Sequence, residues 1–178
     1  GFKGVHKASG FSIGASAIAG DDDGMETGYD GRSVRWQSDL PTPESLGAEA
    51  GRRAASRLGA RKIASTTAPV IFENRLAGSL MSPLIGAISG PSIARGTSFL
   101  KDKLGQQIFA KGIYLRDEPH KRRGLGSAPF DDEGVANQAR NLIDDGVLTT
   151  WLLNSSSARQ LGLSTTGHAS RGLAGPPG

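Results

Sequence analysis

The sequence has no cysteine among its 178 residues. It can therefore form no disulfide, thiolate nucleophile or cysteine-ligated metal site within itself. A chain without cysteine fits a reducing compartment, and we take the cytoplasm as the expected location. The sequence also lacks an apolar run near the roughly 18 residues that span a bilayer, and its start lacks a signal-peptide pattern. No membrane segment is predicted.

Metal-ligating patterns are equally scarce. The three histidines are His6, His120 and His168, and none has a second histidine three or four residues away. That spacing would place two ligands on one helix face. The run Asp131-Asp132-Glu133-Gly134 could hold a hard cation, but it lacks the alternating oxygen ligands and terminal glutamate of a calcium loop. We expect a solvated turn there and predict no catalytic, cofactor-binding or metal-binding residue.

The positive charge is not concentrated in one place. The net charge is +4, yet only Lys121-Arg122-Arg123 forms a tight basic run, and the aromatic residues are not interleaved with it. Nucleic acid is therefore not the expected partner. Residues 119–123 could hold a phosphate or an acidic peptide end by charge-assisted hydrogen bonds. A solvated basic loop is the favoured interpretation.

Two further motifs give little support to catalysis. Ser98 and Lys101 form a Ser-x-x-Lys pair, which could serve acyl transfer if the lysine activated the serine. The charged neighbours favour an ordinary surface instead. Residues 124–127 contain too few glycines for a dinucleotide-binding loop, and no strand precedes them.

The first part of the chain predicts a long hairpin followed by a helix. Residues 9–19 alternate between apolar and small or polar types, residues 25–38 form the antiparallel partner, and residues 21–24 make the turn. Thr42 and Pro43 then predict a helix start, apolar residues recur every four positions to Leu58, and Gly59 ends the helix. Residues 61–68 are predicted to be a connector.

The second part predicts a buried strand at 70–72 and then a helix over 73–88 that Pro83 kinks or splits. An ordered loop with a short helix is expected over 94–105, and a strand over 113–115. Asp144-Asp145-Gly146 predicts a tight hairpin turn within 139–154. A short helix to Leu161 is predicted after a cap at Ser155 or Ser156, with Gly162 as its stop. This mixture predicts an α+β fold of antiparallel β hairpins with packed helices.

Long motifs in the second part resemble the TldD/PmbA family, once called modulators of DNA gyrase, and most of all its PmbA (TldE) branch. The motifs are residues 89–107, 117–120, 129–135, 142–148, 152–155, 158–163 and 165–169. Weaker similarity extends upstream to nearly the whole chain. Family members are longer, and the sequence begins with Gly1, so we expect a fragment of a multi-domain chain. The resemblance implies the end of a middle domain over 1–62 and the first part of a C-terminal domain over 63–178, with the boundary near 60–68.

The resemblance also bears on catalysis. In the TldD branch a His-Glu-x-x-x-His helix and a cysteine bind the catalytic metal. That helix coincides here with Glu73-Asn74-Arg75-Leu76-Ala77-Gly78, where both histidines and the general-base glutamate are replaced. Glu73 alone cannot make bound water nucleophilic, and it is expected near a helix N-terminus, where the dipole favours a carboxylate.

The resemblance therefore implies a non-catalytic subunit of a heteromeric zinc metalloprotease. The zinc is expected in a TldD-like partner subunit, and the substrates are expected to be unfolded or extended peptides. An open strand edge of the 139–154 hairpin is expected to help hold the peptide. Whether the chain alone forms a homodimer stays an open question. The alternatives are an independent hydrolase, using Ser98 and Lys101 or residues elsewhere, and a nucleic-acid or gyrase-associated regulator.

Overall fold

The computed structural model describes residues 2–22 and 24–175. The chain divides into two compact units. The first, here called the hairpin unit, comprises Lys7–Pro69 and Arg123–Leu125. The second, the sheet unit, comprises Gly1–His6, Val70–Arg122 and Gly126–Gly178. None of the helices in the described residues is both long and apolar enough to cross a membrane.

The hairpin unit is built on two antiparallel strands, β1 (Phe11–Asp21) and β2 (Gly24–Val34). The register runs without interruption from Phe11 opposite Val34 to Asp21 opposite Gly24. The Oδ1 atom of Asp21 accepts a hydrogen bond from the Gly24 N–H at 3.0 Å and closes the turn. The predicted hairpin is confirmed, although Asp23 of the predicted turn lies outside the described residues.

Helix α1 (Pro43–Ala55) packs against this hairpin. It begins as predicted, because the Thr42 side chain accepts the Ser45 N–H at 3.3 Å. Its buried face is Leu46, Ala50 and Ala54. The helix ends at Ala55, four residues before Gly59, and turns then lead to Gly59, whose φ is 67°.

The sheet unit begins with a departure from prediction. Residues 70–72 form no strand, and Val70, Ile71 and Phe72 are 73%, 95% and 50% exposed. The apolar, β-branched composition favours a strand, but a strand needs a partner, and no strand in the described part of the chain pairs with this run. The prediction of a buried strand is therefore wrong.

The next segment is a 3₁₀ turn over Asn74–Leu76 followed by helix α2 (Ala77–Ala87). Pro83 lies inside α2 without splitting it. Proline removes only one backbone donor, and Leu84 and Ala87 beyond it pack into the core. The short helix expected within 94–105 lies almost wholly before that stretch, as α3 (Gly90–Ala94), and turns fill most of the residues from 95 to 105.

A three-stranded antiparallel sheet follows, with the order β3 (Leu115–Asp117), β4 (Arg140–Asp144) and β5 (Val147–Leu148). The β4–β5 hairpin is confirmed, with Asp145 and Gly146 at φ 47° and 84° as the tight turn requires. Strand β3 begins two residues later than predicted. The core of this unit is made by Leu84, Ala87, Ile88, Leu100, Leu142, Ile143 and Leu148.

The last helix, α4 (Ser155–Leu161), ends at Gly162 with φ 68°, as predicted. Its cap is Asn154 rather than Ser155 or Ser156, because the Asn154 Oδ1 atom accepts the Ser157 N–H at 2.7 Å. Antiparallel sheets with packed helices confirm the α+β fold class.

Candidate functional site

The turn over residues 73–78 is the first candidate site, because the family resemblance would place a metal-binding helix there. Glu73 directly precedes the 3₁₀ turn, and its side chain makes no capping hydrogen bond. Its Oε2 atom instead accepts a hydrogen bond from Arg75 Nε at 2.7 Å. The predicted position of Glu73, beside a helix N-terminus, is correct. Its carboxylate, however, forms its hydrogen bond with Arg75 and does not cap the helix end.

The described residues of this chain do not fit a catalytic metal. The turn supplies one carboxylate, already paired with a guanidinium. In the described residues, no group of three or more His, Cys, Asp or Glu side chains could hold a metal ion. A catalytic zinc needs three protein ligands and one open position, so no catalytic step can be routed through a metal held by these residues.

His168 is the centre of a hydrogen-bonded chain in the sheet unit. Its Nε2 atom lies 3.0 Å from Asp117 Oδ2, and its Nδ1 atom lies 2.9 Å from Thr166 Oγ1. Thr166 Oγ1 also accepts the Leu153 N–H at 2.6 Å. The hydroxyl is therefore fixed to the backbone, which favours a structural link over a nucleophile. The link was missed because 51 residues separate Asp117 from His168.

Carboxylates in the acidic run at 131–133 accept hydrogen bonds from backbone N–H groups. Asp131 is only 8% exposed. Its Oδ1 atom accepts the Glu133 and Val135 N–H groups at 3.0 and 2.9 Å, and its Oδ2 atom accepts the Ala169 N–H at 3.0 Å. Glu133 Oε2 accepts the Ser155 N–H at the start of α4 at 2.8 Å. The expected solvated turn is therefore wrong for Asp131, and backbone donors take the place of a cation.

The Ser98 and Lys101 pair does not form a catalytic arrangement. Ser98 is 7% exposed, and its hydroxyl donates to the Ala87 carbonyl at 2.6 Å. The same oxygen accepts the Leu100 N–H at 3.0 Å. Lys101 points its ammonium towards Asp102, at 4.0 Å. Ser98 thus ties the loop after α3 to the end of α2, and the favoured interpretation of Lys101 as a charged surface residue holds.

The basic run at 121–123 is exposed, but one of its three charges has partners within the protein. Lys121 and Arg122 are exposed. Arg123, which belongs to the hairpin unit, pairs with Asp39 Oδ1 at 2.6 Å and lies 4.4 Å from the centre of the Trp36 ring. Because Asp39 already neutralises part of its field, Arg123 attracts a phosphate less strongly than an unpaired arginine would. Arg123 is exposed as predicted for a solvated loop, but its charge is paired rather than simply solvated.

Among the described strands, β3 forms the edge of this sheet that has no further strand partner, here called the open edge, and it is not on the β4–β5 hairpin. Strand β4 is central, and the outer side of β5 is covered, since Leu148 exchanges backbone hydrogen bonds with Gly105 and Gln106 at 2.7 and 3.0 Å. Strand β3 is the other edge of the sheet. The expected peptide edge on the hairpin is therefore wrong, and β3 is the edge at which a further strand could pair.

Comparison with known proteins places the chain in a protease class. Residues 1–58 match the PmbA/TldA metallopeptidase central domain, and residues 65–178 match the PmbA/TldA metallopeptidase C-terminal domain. Together these matches take in nearly all of the chain, which belongs to the PmbA/TldD metallopeptidase family.

Individual relatives agree with this class. The metalloprotease PmbA of Escherichia coli O157:H7 is 48% identical over 158 residues, which is 89% of this chain and 35% of the relative. A TldD homologue of Haemophilus influenzae is 31% identical over 124 residues, covering 69% of this chain and 26% of the relative. This chain thus spans about a third of the length of its PmbA relative.

Solved structures share the fold. A crystal structure from Bacteroides thetaiotaomicron, described as a modulator of DNA gyrase, superposes with a TM-score of 0.89 at 30% identity, over 96% of this chain and 39% of that one. TldE from Thermococcus kodakarensis superposes with a TM-score of 0.72 at 20% identity, over 95% of this chain and 38% of that one. At that identity the second likeness shows the fold alone.

Proposed function

We propose that this chain is part of a subunit without a catalytic metal, which pairs with a TldD-type subunit in a heteromeric zinc metalloprotease. The single observation that carries the proposal is the turn over residues 73–78, where the Glu73–Arg75 ion pair stands in place of metal ligands. The subunit would have no hydrolytic activity of its own. The zinc would be held by the partner, and the complex would work in the cytoplasm.

The choice of partner is supported by similarity within the family. Relatives named as TldD homologues align with this chain at 29–31% identity over 124 residues. A TldD-type subunit would therefore have a similar architecture in this region. Two homologous subunits can pair through a pseudo-twofold axis, as identical subunits do through a true one. A homodimer of the subunit alone would use the same geometry.

The proposed substrates are unfolded or extended peptides. The open edge of β3 supports this class, because an extended peptide can add to a sheet edge through main-chain hydrogen bonds alone. Such binding depends little on side chains and suits substrates of varied sequence. This subunit would help hold the peptide while the partner's metal site cleaves it.

The decisive experiment is the metal content of the full-length protein, measured by mass spectrometry alone and after mixing with a purified TldD-type subunit. We expect metal only in the mixture, bound to the partner. Stoichiometric zinc on the full-length protein alone would overturn the proposal. Peptide hydrolysis by the full-length protein alone would do the same.

The two alternatives are weaker. An independent hydrolase based on Ser98 and Lys101 conflicts with the hydrogen bond of the Ser98 hydroxyl to Ala87. A gyrase-associated or nucleic-acid-binding role is suggested by the description of the Bacteroides structure. Binding driven by phosphates would weaken steeply with salt. A gel-shift series between low and physiological salt tests it, and we expect no DNA binding in that series.

A further inference from the structure

The apolar stripe of α2 continues past the point where the core of the sheet unit ends. Leu76, Leu80, Leu84 and Ile88 follow one another at four-residue spacing, which places them along one side of the helix. Leu84 and Ile88 are 7% and 0% exposed and belong to the core, whereas Leu76 and Leu80 are 44% and 45% exposed. Within the described residues, the core therefore covers only the C-terminal half of this side of the helix.

The remaining surface of α2 is also suited to burial. No charged residue occurs between Arg75 and Arg95. A helix at a protein surface normally carries charged residues on its outer side, and a helix without them is typical of an interior. The Ser79 and Ser82 hydroxyls donate to carbonyls of the preceding turn, at 2.6 and 3.1 Å. Burial of these serines would therefore leave no hydroxyl donor without a partner.

Two observations indicate that the covering segment belongs to the same subunit. The alignment with PmbA of Escherichia coli O157:H7 takes in 35% of that relative, so 65% of it lies outside the match. The exposed leucines continue a buried core without a break, as residues of one contiguous domain core do. An interface between two subunits would instead have a polar rim open to solvent, and α2 supplies no charged side chain to such a rim.

We propose that the side of α2 marked by Leu76 and Leu80 is an internal docking surface. In the full-length protein it is covered by polypeptide of the same subunit that lies outside residues 1–178. The covering segment is apolar where it meets these leucines, because removing apolar surface from water on both sides stabilises the contact. This inference is independent of the proposed function, since it concerns the folding of one subunit whether or not a metal-bearing partner binds.

Hydroxyl-radical footprinting of the natural full-length protein tests this surface, because it oxidises exposed side chains and needs no substitution. Leu104 is the internal reference, since it is 43% exposed and lies beside the charged run at 101–103. We expect Leu76 and Leu80 to be oxidised about sixfold more slowly than Leu104, as a fall from 45% exposure to the 7% of Leu84 would produce. This ratio should stay the same over a dilution series.

Three results of the footprinting would overturn the proposal. Equal oxidation of Leu80 and Leu104 in the isolated full-length protein would show that nothing covers the surface. Protection that is lost on dilution would assign the surface to a second copy of the subunit. Protection that appears only after a TldD-type subunit is added would assign it to that partner.

The variants Leu80→Ala and Leu104→Ala test the same contact through stability. In the full-length protein, Leu80→Ala should lower the melting temperature by several degrees, because truncating a buried leucine loses contacts and leaves a cavity. Leu104→Ala, the matched control, should change it little, since substitutions at exposed positions usually have small effects. Equally small shifts for the two variants would show that Leu80 is exposed and would overturn the proposal.

Discussion

Glu73 accepts a hydrogen bond from Arg75 at 2.7 Å, within the turn over residues 73–78. A glutamate paired with arginine loses the attraction between them if it binds a metal cation instead. The ion pair and the lack of histidine in this turn therefore both weaken metal binding there.

A chelator should consequently not affect the stability of this protein alone. We expect the melting temperature of the full-length protein, measured by calorimetry, to be the same with and without EDTA. A structural metal would add folding free energy that chelation removes. A drop of several degrees in the melting temperature on adding EDTA to the protein alone would contradict the prediction.

The contact of Gly28 with α1 predicts a large loss of stability on substitution. A Cβ atom at Gly28 would lie 2.2 Å from the Ala50 carbonyl oxygen and 2.4 Å from the Ala54 nitrogen. Because both neighbours are helix backbone, Gly28→Ala should lower the free energy of unfolding by about 2–4 kcal/mol.

Gly47→Ala is the matched control, since Gly47 lies in α1 with open space around its Cβ position. It should raise stability by roughly 0.5–1 kcal/mol, because alanine is the better helix former. Urea unfolding followed by circular dichroism measures both variants. Equal effects of the two substitutions would contradict the close packing of α1 on β2.

Asp131→Ala should also destabilise the protein strongly. The substitution removes the acceptor of three backbone N–H groups, from Glu133, Val135 and Ala169. Unsatisfied buried donors cost about 1–3 kcal/mol each when water cannot replace the acceptor. We expect a loss of about 3 kcal/mol in urea unfolding, against less than about 0.5 kcal/mol for the exposed Asp144→Ala. A loss no larger than that of Asp144→Ala would show that water replaces the carboxylate.

Glu49 predicts part of the acid sensitivity of the hairpin unit. Its hydrogen bonds with Arg52, at 2.6 and 2.8 Å, are the main cause that lowers its pKa from 4.5 to about 2, and the charges of Arg52 and Arg53 add to this. A carboxyl group with a lowered pKa stabilises the fold fully above 4.5 and loses that contribution as the pH falls towards 2.

Glu49→Gln should therefore flatten the fall of unfolding free energy between pH 5 and about 2. Because the Glu49 side chain is 29% exposed and solvent screens its ion pairs, the change should be small. Glu44→Gln, on the same helix, is the control. Identical pH profiles for the natural protein and Glu49→Gln would contradict the shifted pKa.

The open edge of β3 predicts a specific effect on peptide cleavage. Arg116→Pro removes a backbone donor in the middle of the strand. Arg116→Ala, the matched control, keeps the backbone and removes only an exposed side chain. In the complex with a TldD-type subunit, we expect the proline variant to raise KM for extended peptides by about tenfold and the alanine variant to leave it unchanged. Unchanged cleavage by a correctly folded, complexed proline variant would exclude this edge.

Local signals predicted much of the fold. The alternation in β1, the Thr42-Pro43 start of α1 and the Asp145-Gly146 turn each depend on neighbours in sequence, and the structure confirms them. Features that depend on distant residues were missed. The run at 70–72 has strand-like composition without a strand partner, and Asp131 bonds to Ala169 across 38 positions.

The same limit applies to the candidate sites. Sequence motifs showed that Ser98 and Lys101 are near each other in the chain, but not that the Ser98 hydroxyl is bound to Ala87. They also showed a basic run, but not that Arg123 meets Trp36 from 87 positions away in the chain. Spacing within a motif limits which residues can meet, whereas partners from other elements decide what each side chain does.

The exposed run Val70-Ile71-Phe72 carries a risk for handling the protein. Short apolar segments of high β-propensity can join with copies of themselves into intermolecular sheets. Pro69 and Glu73 flank the run, as gatekeeper residues flank aggregation-prone segments in many proteins. In a preparation where nothing covers this run, only those two residues would slow aggregation through it. The substitution Ile71→Lys would place a charge within the run and should slow aggregation further.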